Sequence, residues 1–215
     1  MKFKDRSDAG RQLAGKFKDY TRKPSVLILA LAPGGVPVAA EIALALNAPL
    51  DIFLVWNLCV PGQEKLVMGT ITTGGTRVLN DDVVSYLGIS DETVDAVVRQ
   101  EQRELERRER PFRDNRPAPD IRGKTVILVD DGMANGWMMR AALTALCQQG
   151  PARLIVALPV IARTTHEAIE LLTDEIVCVG AQLPEPLFPD GIWYEDFRQP
   201  TEAEACKMLS AFQPC

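Results

Sequence analysis

Residues Thr125 to Met139 constrain this chain most. Val126-Ile127-Leu128-Val129 is short, wholly apolar and mostly β-branched. Such a run predicts a strand buried on both faces, as in a parallel sheet. Two carboxylates, Asp130 and Asp131, follow at its carboxyl end. Next comes a small-residue loop, Gly132-Met133-Ala134-Asn135-Gly136. A helix is predicted after it, with Met138, Ala142 and Leu146 on one stripe and Gly150 as its stop. Ligands of open α/β sheets sit beyond the carboxyl ends of the strands. Loop amides and a helix N-terminus make an anion site. An acidic pair beside such a site suits a phosphorylated sugar: the loop holds the phosphate, and the carboxylates take hydroxyls or a Mg²⁺ ion. The competing reading is a strand that ends in Asp because the chain is leaving the core. The loop and helix that follow weigh against it. The glycine spacing is not the G-x-G-x-x-G of dinucleotide folds, and no Gly-Lys-Ser/Thr makes a Walker loop.

The same unit occurs earlier. Val26 to Leu31 predicts a second buried strand, followed by Ala32-Pro33-Gly34-Gly35 and a helix from Val36 to Leu46. Two such turns at one sheet edge would face one ligand, although a Gly-Gly turn also serves backbone shape alone. Leu50 to Leu58 predicts a third strand, and Cys59 to Glu64 a loop. Leu66 to Thr72 and Thr76 to Leu79 predict a hairpin around Thr73-Gly74-Gly75, placed where a lid is often found. Helical patterns begin near Asp81 and Asp91; the Arg/Glu-rich residues 99–110 nearly cancel in charge and predict a solvated face with Glu104–Arg108 and Glu106–Arg110 pairs. Residues 112–122 read as a connector. Strands are expected at 154–160 and 176–179. Capping boxes are expected at Thr164–Glu167 and at Thr201–Glu204, the latter opening a terminal helix to about Phe212. Leu13, Phe17 and Tyr20 predict an N-terminal amphipathic helix beginning near Ser7 or Asp8, and Ile192 to Phe197 an edge strand or an aromatic cover.

Composition narrows the function classes. The chain has 215 residues, 47% of them hydrophobic, enough for a sizeable core in one α/β domain. A net charge of −5 argues against a nucleic-acid backbone binder. Five scattered cysteines without a C-x-x-C fit a reducing compartment, and no signal-like or membrane-spanning run is seen, so a cytoplasmic protein without membrane partners is expected. The one histidine, His166, falls in a predicted first helical turn, which removes most His-based nucleophilic mechanisms. There is no zinc constellation, and Cys59 in its loop is more simply an idle thiol than a nucleophile.

Residues Val126 to Gly136 resemble the phosphoribosyl-pyrophosphate (PRPP) signature of type I phosphoribosyltransferases. The resemblance extends to Phe3 with Asp5-Arg6 and Ala9-Gly10, to the Leu31–Gly35 turn, and to Pro61-Gly62. It continues through Phe112-Arg113, Arg116-Pro117, and Trp193-Tyr194 with Asp196-Phe197, features of a bacterial subgroup of unassigned substrate. It implies a mainly parallel, five-stranded sheet with flanking helices over residues 1–215. It also implies a small hood built from the N-terminal segment and residues 184–197, and a lid over about 59–79. Asp130 and Asp131 would contact the ribose hydroxyls and meet a substrate-bound Mg²⁺. Gly132, Met133, Ala134, Asn135, Gly136 and Trp137 would wrap the 5-phosphate, and Pro33, Gly34 and Gly35 would meet the pyrophosphate. The implied activity is transfer of phosphoribose from PRPP to a base or amine with release of pyrophosphate. The alternative is a catalytically degenerate module that binds PRPP or a nucleotide. A homodimer is compatible with either.

The chain departs from that family where charge is handled. Relatives typically have Pro-Arg-Gly-Gly at the first turn; here it is Ala32-Pro33-Gly34-Gly35. Trp56-Asn57 stands where relatives carry Arg-Lys, and Asn135-Gly136-Trp137-Met138 where they favour Thr-Gly-x-Thr. Each lost charge-assisted hydrogen bond is worth roughly 1.5–3 kcal/mol. Arg113 and Arg116 are the candidate compensating cations.

Overall fold

A computed structural model of the protein describes residues 2–114, 116–132, 136–180 and 192–212. In chain order the elements are α1 (Arg6–Ala14), β1 (Val26–Leu31), α2 (Gly35–Leu46), β2 (Leu50–Phe53), β3 (Val55–Val60), β4 (Gln63–Thr72) and β5 (Arg77–Leu79). There follow α3 (Asp81–Tyr86), α4 (Asp91–Arg113), β6 (Thr125–Val129), α5 (Gly136–Gln148), β7 (Arg153–Leu158), α6 (Arg163–Ile169), β8 (Glu175–Cys178) and α7 (Glu202–Ser210).

Five strands form one parallel sheet in the order β2-β1-β6-β7-β8. In β6 the register pairs Ile127 with Ile28 on one side and Ile155 on the other. Alternate residues feed two cores, which is why the runs are apolar throughout. On one face Ile28, Ala30, Ile127, Val129 and Ile155 pack with Leu13, Phe17, Ile42 and Leu46. On the other, Leu29, Val126, Leu128 and Val156 pack with Met139, Leu143, Leu146 and Ile169. Both carboxyl-end turns named from sequence therefore leave neighbouring strands. No helix among the described residues is long and apolar enough to cross a membrane.

The region expected as one strand over residues 50–58 is two strands in two sheets. The chain breaks at Leu54, whose N–H donates to Thr73 Oγ1 (2.9 Å) and whose carbonyl accepts from Thr73 N–H (2.9 Å). Beyond it, β3, β4 and β5 make an antiparallel sheet. The predicted β4–β5 hairpin is present, but the expected loop at 59–64 is mostly strand. Val60 pairs with Gln63, leaving only Pro61-Gly62 as a tight turn, with Gly62 at φ +76°. The outer residues 61–65 are exposed, whereas Met68 to Thr72 are buried.

Four further expectations change. Met138 is 41% exposed, and it is Met139 that is buried, because the helix turns its neighbour toward the sheet. Helix α4 runs through Pro111 to Arg113 rather than ending before a connector at 112, since burial of Phe112 and Arg113 outweighs the missing proline N–H. Helix α6 starts at Arg163 with Ala162 at its cap and no side-chain cap, so Thr164–Glu167 is not a capping box. The predicted Glu106–Arg110 pairing is replaced by Glu106 accepting from Gln102 Nε2 (3.1 Å). The Thr201–Glu204 capping box is formed, and Arg107 and Arg108 hold the Glu104 carboxyl down at about 2.

Arg113 closes the junction between helix and edge strand. Its guanidinium donates to Asp51 Oδ1 (2.7 Å), Glu109 Oε1 (2.6 Å) and the Ile52 carbonyl (2.7 Å), with its side chain 5% exposed. Removing one partner from such a network strands the opposite charges in a dry site. Arg113→Ala is therefore expected to cost roughly 3–5 kcal/mol in urea unfolding, and Glu109→Gln, which keeps an acceptor, distinctly less. A loss below about 1 kcal/mol for Arg113→Ala would show the pair to be effectively solvated.

Candidate active site at the carboxyl ends of β1 and β6

The turn after β1 and the end of β6 meet in van der Waals contact. A Cβ on Gly34 would lie 2.6 Å from Asp131 Oδ2, and one on Gly35 would lie 2.6 Å from the Val129 carbonyl. Only glycine allows the start of α2 to approach the acidic pair this closely. Pro33, in cis linkage to Ala32, begins the same turn. The sequence-named residues Pro33, Gly34 and Gly35 are thus joined to Asp130 and Asp131.

The two carboxylates have different surroundings. Asp131 is held by Arg6: Nε donates to Oδ2 at 2.7 Å, and Nη2 lies 2.6 Å from the same oxygen. Arg6 also donates to the Arg198 carbonyl and to Gln199 Oε1, both at 2.9 Å, and its guanidinium lies 3.9 Å from the Phe197 ring centroid. Its side chain is 5% exposed. The Tyr194 hydroxyl donates to the Asp131 backbone carbonyl. Among the described residues Asp130 has no such cation of its own; its Oδ1 accepts the Asp131 N–H at 2.9 Å. Burial first, and the charge of Asp131 second, push the Asp130 carboxyl well above its usual value. Burial raises Tyr194 also, keeping its phenol protonated as a donor.

The loop after the pair leads into α5. Gly132 packs near Val160, and Gly136 near Thr165 of α6. Met133, Ala134 and Asn135 lie outside the described residues. The N-terminal amides of α5 point out of the helix at Gly136, the general geometry of an anion site. Trp137 lies beside Val78, Leu79 and Asn80, at the side of the helix facing β5 and α3.

Several residues singled out from sequence are elsewhere. Arg113 is committed to Asp51 and Glu109. Arg116 donates Nε to the Arg113 carbonyl at 3.1 Å. Trp56 donates Nε1 to Glu101 Oε2 at 2.7 Å, and Arg108 stacks on its ring at 4.2 Å. His166 Nδ1 lies 3.7 Å from Glu170 Oε2, one helical turn on. Cys59 is a free, half-buried thiol in β3. Among the described residues no three His, Cys, Asp or Glu side chains gather into a metal cage.

Sequence reasoning named Arg6 and Tyr194 only within the family resemblance and its hood, and gave them no role at the acidic pair. One signal was available for Arg6. It is the first residue of a helix capped by Asp5, where the dipole disfavours a cation. An arginine there implies a partner from elsewhere in the fold.

A parallel sheet with an acidic pair, a glycine turn and a helix N-terminus at the carboxyl ends of adjacent strands places the chain in the α/β class whose ligands generally sit beyond those ends. Within that class the chain belongs to the phosphoribosyl transferase family. The model described as "Phosphoribosyl transferase domain" matches residues 60–184. The "Putative phosphoribosyl transferase" of Mycobacterium tuberculosis strain H37Rv is 38% identical over 207 residues, covering 96% of this chain and 46% of that protein. The chain spans about half the length of the curated relatives it matches. The crystal structure of TT1426 from Thermus thermophilus matches all of both chains at 31% identity and a TM-score of 0.81. The AQ2163 protein of Aquifex aeolicus, at 12% identity and a TM-score of 0.51 over 86% of this chain and 78% of its own, shares the fold.

The asymmetric pair gives substitutions of opposite sign. Asp130 binds its proton more tightly in the folded state, so the stability it contributes is present at low pH and falls as pH rises above about 3.8 towards the raised folded value. Asp130→Asn escapes that loss, and its melting temperature should exceed the parent's at pH 7 while converging with it near pH 4. Asp131→Asn strands buried Arg6 and should cost on the order of 3 kcal/mol. Thermal melts at both pH values decide; equal effects at the two positions would refute the asymmetry.

Proposed function

We propose that this protein binds PRPP and transfers its phosphoribosyl group to a nitrogen acceptor, releasing pyrophosphate. The observation that carries the reading is the joining of the glycine turn to an unequal acidic pair beside the start of α5, in a chain of this family. The acceptor nitrogen forms its bond to C1 of the ribose as the C1–oxygen bond breaks, the electron pair leaving with pyrophosphate and a proton leaving the nitrogen.

Each side chain then has a task. Asp130 is the free acceptor for a ribose hydroxyl, because Arg6 occupies Asp131. Asp131 acts chiefly to fix the end of β6, through Arg6 and Tyr194. The amides from Gly132 to Trp137 receive the 5-phosphate, and those of Gly34 and Gly35, after Pro33, border the pyrophosphate. The donor set fits Mg²⁺ that arrives on the substrate: hard carboxylate oxygens are present at Asp130 and Asp131, without a protein cage among the described residues. When bound, the ion would neutralise pyrophosphate charge, and a cation near Asp130 would offset the burial that now favours its protonated form. The hairpin tip at residues 61–65, exposed above a buried base, forms the lid. The hood includes the N-terminal segment, where Phe3 exchanges backbone hydrogen bonds with Trp193 and Glu195 at 2.8 Å; residues 181–191 lie outside the described region. Residues 1–215 act as one unit in this reading.

A second reading, a nucleotide- or PRPP-binding module without turnover, draws on the missing cations. The turn at 32–35 carries none, and Trp56 is engaged with Glu101. Calorimetry with PRPP, with and without Mg²⁺, beside a ribose 5-phosphate control, tests both. Saturable binding strengthened by Mg²⁺, followed by pyrophosphate release with some base or amine, is the expected result. Binding without release across bases and amines would select the binding module, and no binding of either compound would overturn both.

A further inference from the structure

The second half of α4, the turn at 73–75 and the segment 116–118 enclose a cavity of about 450 Å³. That volume is within the roughly 300–1,000 Å³ of small-molecule sites. The cavity lies away from the acidic pair. A Cβ on Gly74 would come 3.9 Å from Gln149 Nε2, just past the last residue of α5. The loop after Asp131 enters the other end of that helix, and its 13 residues hold the two ends about 20 Å apart.

The cavity carries both signs of charge. Arg113 in its wall is the one guanidinium bonded to both Asp51 and Glu109, whose side chains are 19% and 14% exposed. One cation between two carboxylates leaves a negative charge where there is little water to screen it. Glu109 uses Oε1 for Arg113 (2.6 Å) and for the Thr73 hydroxyl (2.5 Å). Its Oε2 has no hydrogen-bond partner among the described residues, although a carboxylate accepts about four such bonds. Arg110 and Arg116 are exposed and line the same cavity. Neither is paired with a carboxylate among the described residues; Arg116 spends only Nε, on the Arg113 carbonyl (3.1 Å). Between the charges the lining is uncharged. Gly74 and Gly75 present no side chain, and Leu105, Pro117 and Ala118 give an apolar surface. A lone anion here would meet the negative charge at Glu109, and a lone cation would meet Arg110 and Arg116. A molecule bearing both signs satisfies each group.

We propose that this cavity binds a small zwitterion, an α-amino acid with an apolar side chain, at a site separate from the acidic pair. The ammonium donates to Glu109 Oε2, the carboxylate accepts from Arg110 and Arg116, and the side chain lies on Leu105 and Pro117. With about 20 Å of helix between it and Asp131, the ligand is not a reactant at the first site. Its binding does not rest on the transfer reading above.

The test is calorimetry on the full chain with L-leucine and two truncated probes: 4-methylpentanoate, which lacks the ammonium, and 3-methylbutylamine, which lacks the carboxylate. L-Leucine should bind, and each truncated probe should be at least about tenfold weaker. Arg110→Gln, at an exposed position that should still fold, is expected to weaken L-leucine about tenfold and to leave 3-methylbutylamine unchanged. Glu109→Gln should weaken L-leucine and strengthen 4-methylpentanoate, a shift of preference that a loss of packing alone would not produce. Asp130→Asn should leave L-leucine binding as it is. No L-leucine binding to a natively folded chain, a truncated probe as tight as L-leucine, or undiminished binding in Arg110→Gln would each overturn the proposal. Loss of L-leucine binding in Asp130→Asn would place the ligand at the acidic pair and overturn it too. Failure of PRPP to bind, with the amino-acid results intact, would overturn only the transfer reading.

Discussion

Two carboxylates leave the dry end of β6 side by side, and the fold cannot keep both ionised without a cation. Arg6 supplies it. The guanidinium takes Asp131, stacks on Phe197 and ties the Arg198 carbonyl and Gln199 to the same point. One buried ion thereby joins the first helix, the end of the central strand and the segment at 193–199. Such a pair adds little net stability, since desolvation offsets its attraction, but losing one partner is costly. Its consequence at the site is an unequal pair, with Asp131 compensated and Asp130 poised to gain a partner.

The same economy of charge operates at the other edge of the sheet. Arg113 satisfies Asp51 and Glu109 where the chain turns from β2 into the antiparallel hairpin. Arg108 balances Glu104 and Glu202, and covers Trp56. These arginines are bound to carboxylates near at hand, so they are poor substitutes for cations missing from the turn at 32–35. Positive charge for a pyrophosphate would then have to come largely with the substrate.

The sheet was legible in the sequence because each central strand is buried on both faces, and a strand so placed has to be apolar at every position. Val26 to Leu31 appears in the structure with the bounds expected of it. The joining of the turn at 33–35 to Asp130 and Asp131 was also legible, from the repeated strand-turn-helix pattern and the family resemblance. The hairpin was harder. Strands β3 and β4 pair across only two turn residues, and the exposed outer end of β4, Gln63 to Lys65, carries polar side chains that read as loop. Helix α4 crosses Pro111 because tertiary burial of Phe112 outweighs local propensity. Arg6 was not legible as a site residue, since its partner is 125 positions away in the chain.

The two regions at the start of α5 differ in sign of demand. On the side of Asp130, backbone amides from a turn and a helix terminus lie beside a carboxylic group that burial disposes to hold its proton. On the side of Trp56, carboxylates and polarisable apolar groups face a cleft without a lining cation among the described residues. At Trp56 an aromatic side chain stands where the family's members typically carry a cation, and it is held in place by Glu101 and Arg108. It removes a positive charge from β3, while the parallel sheet that carries the acidic pair is retained.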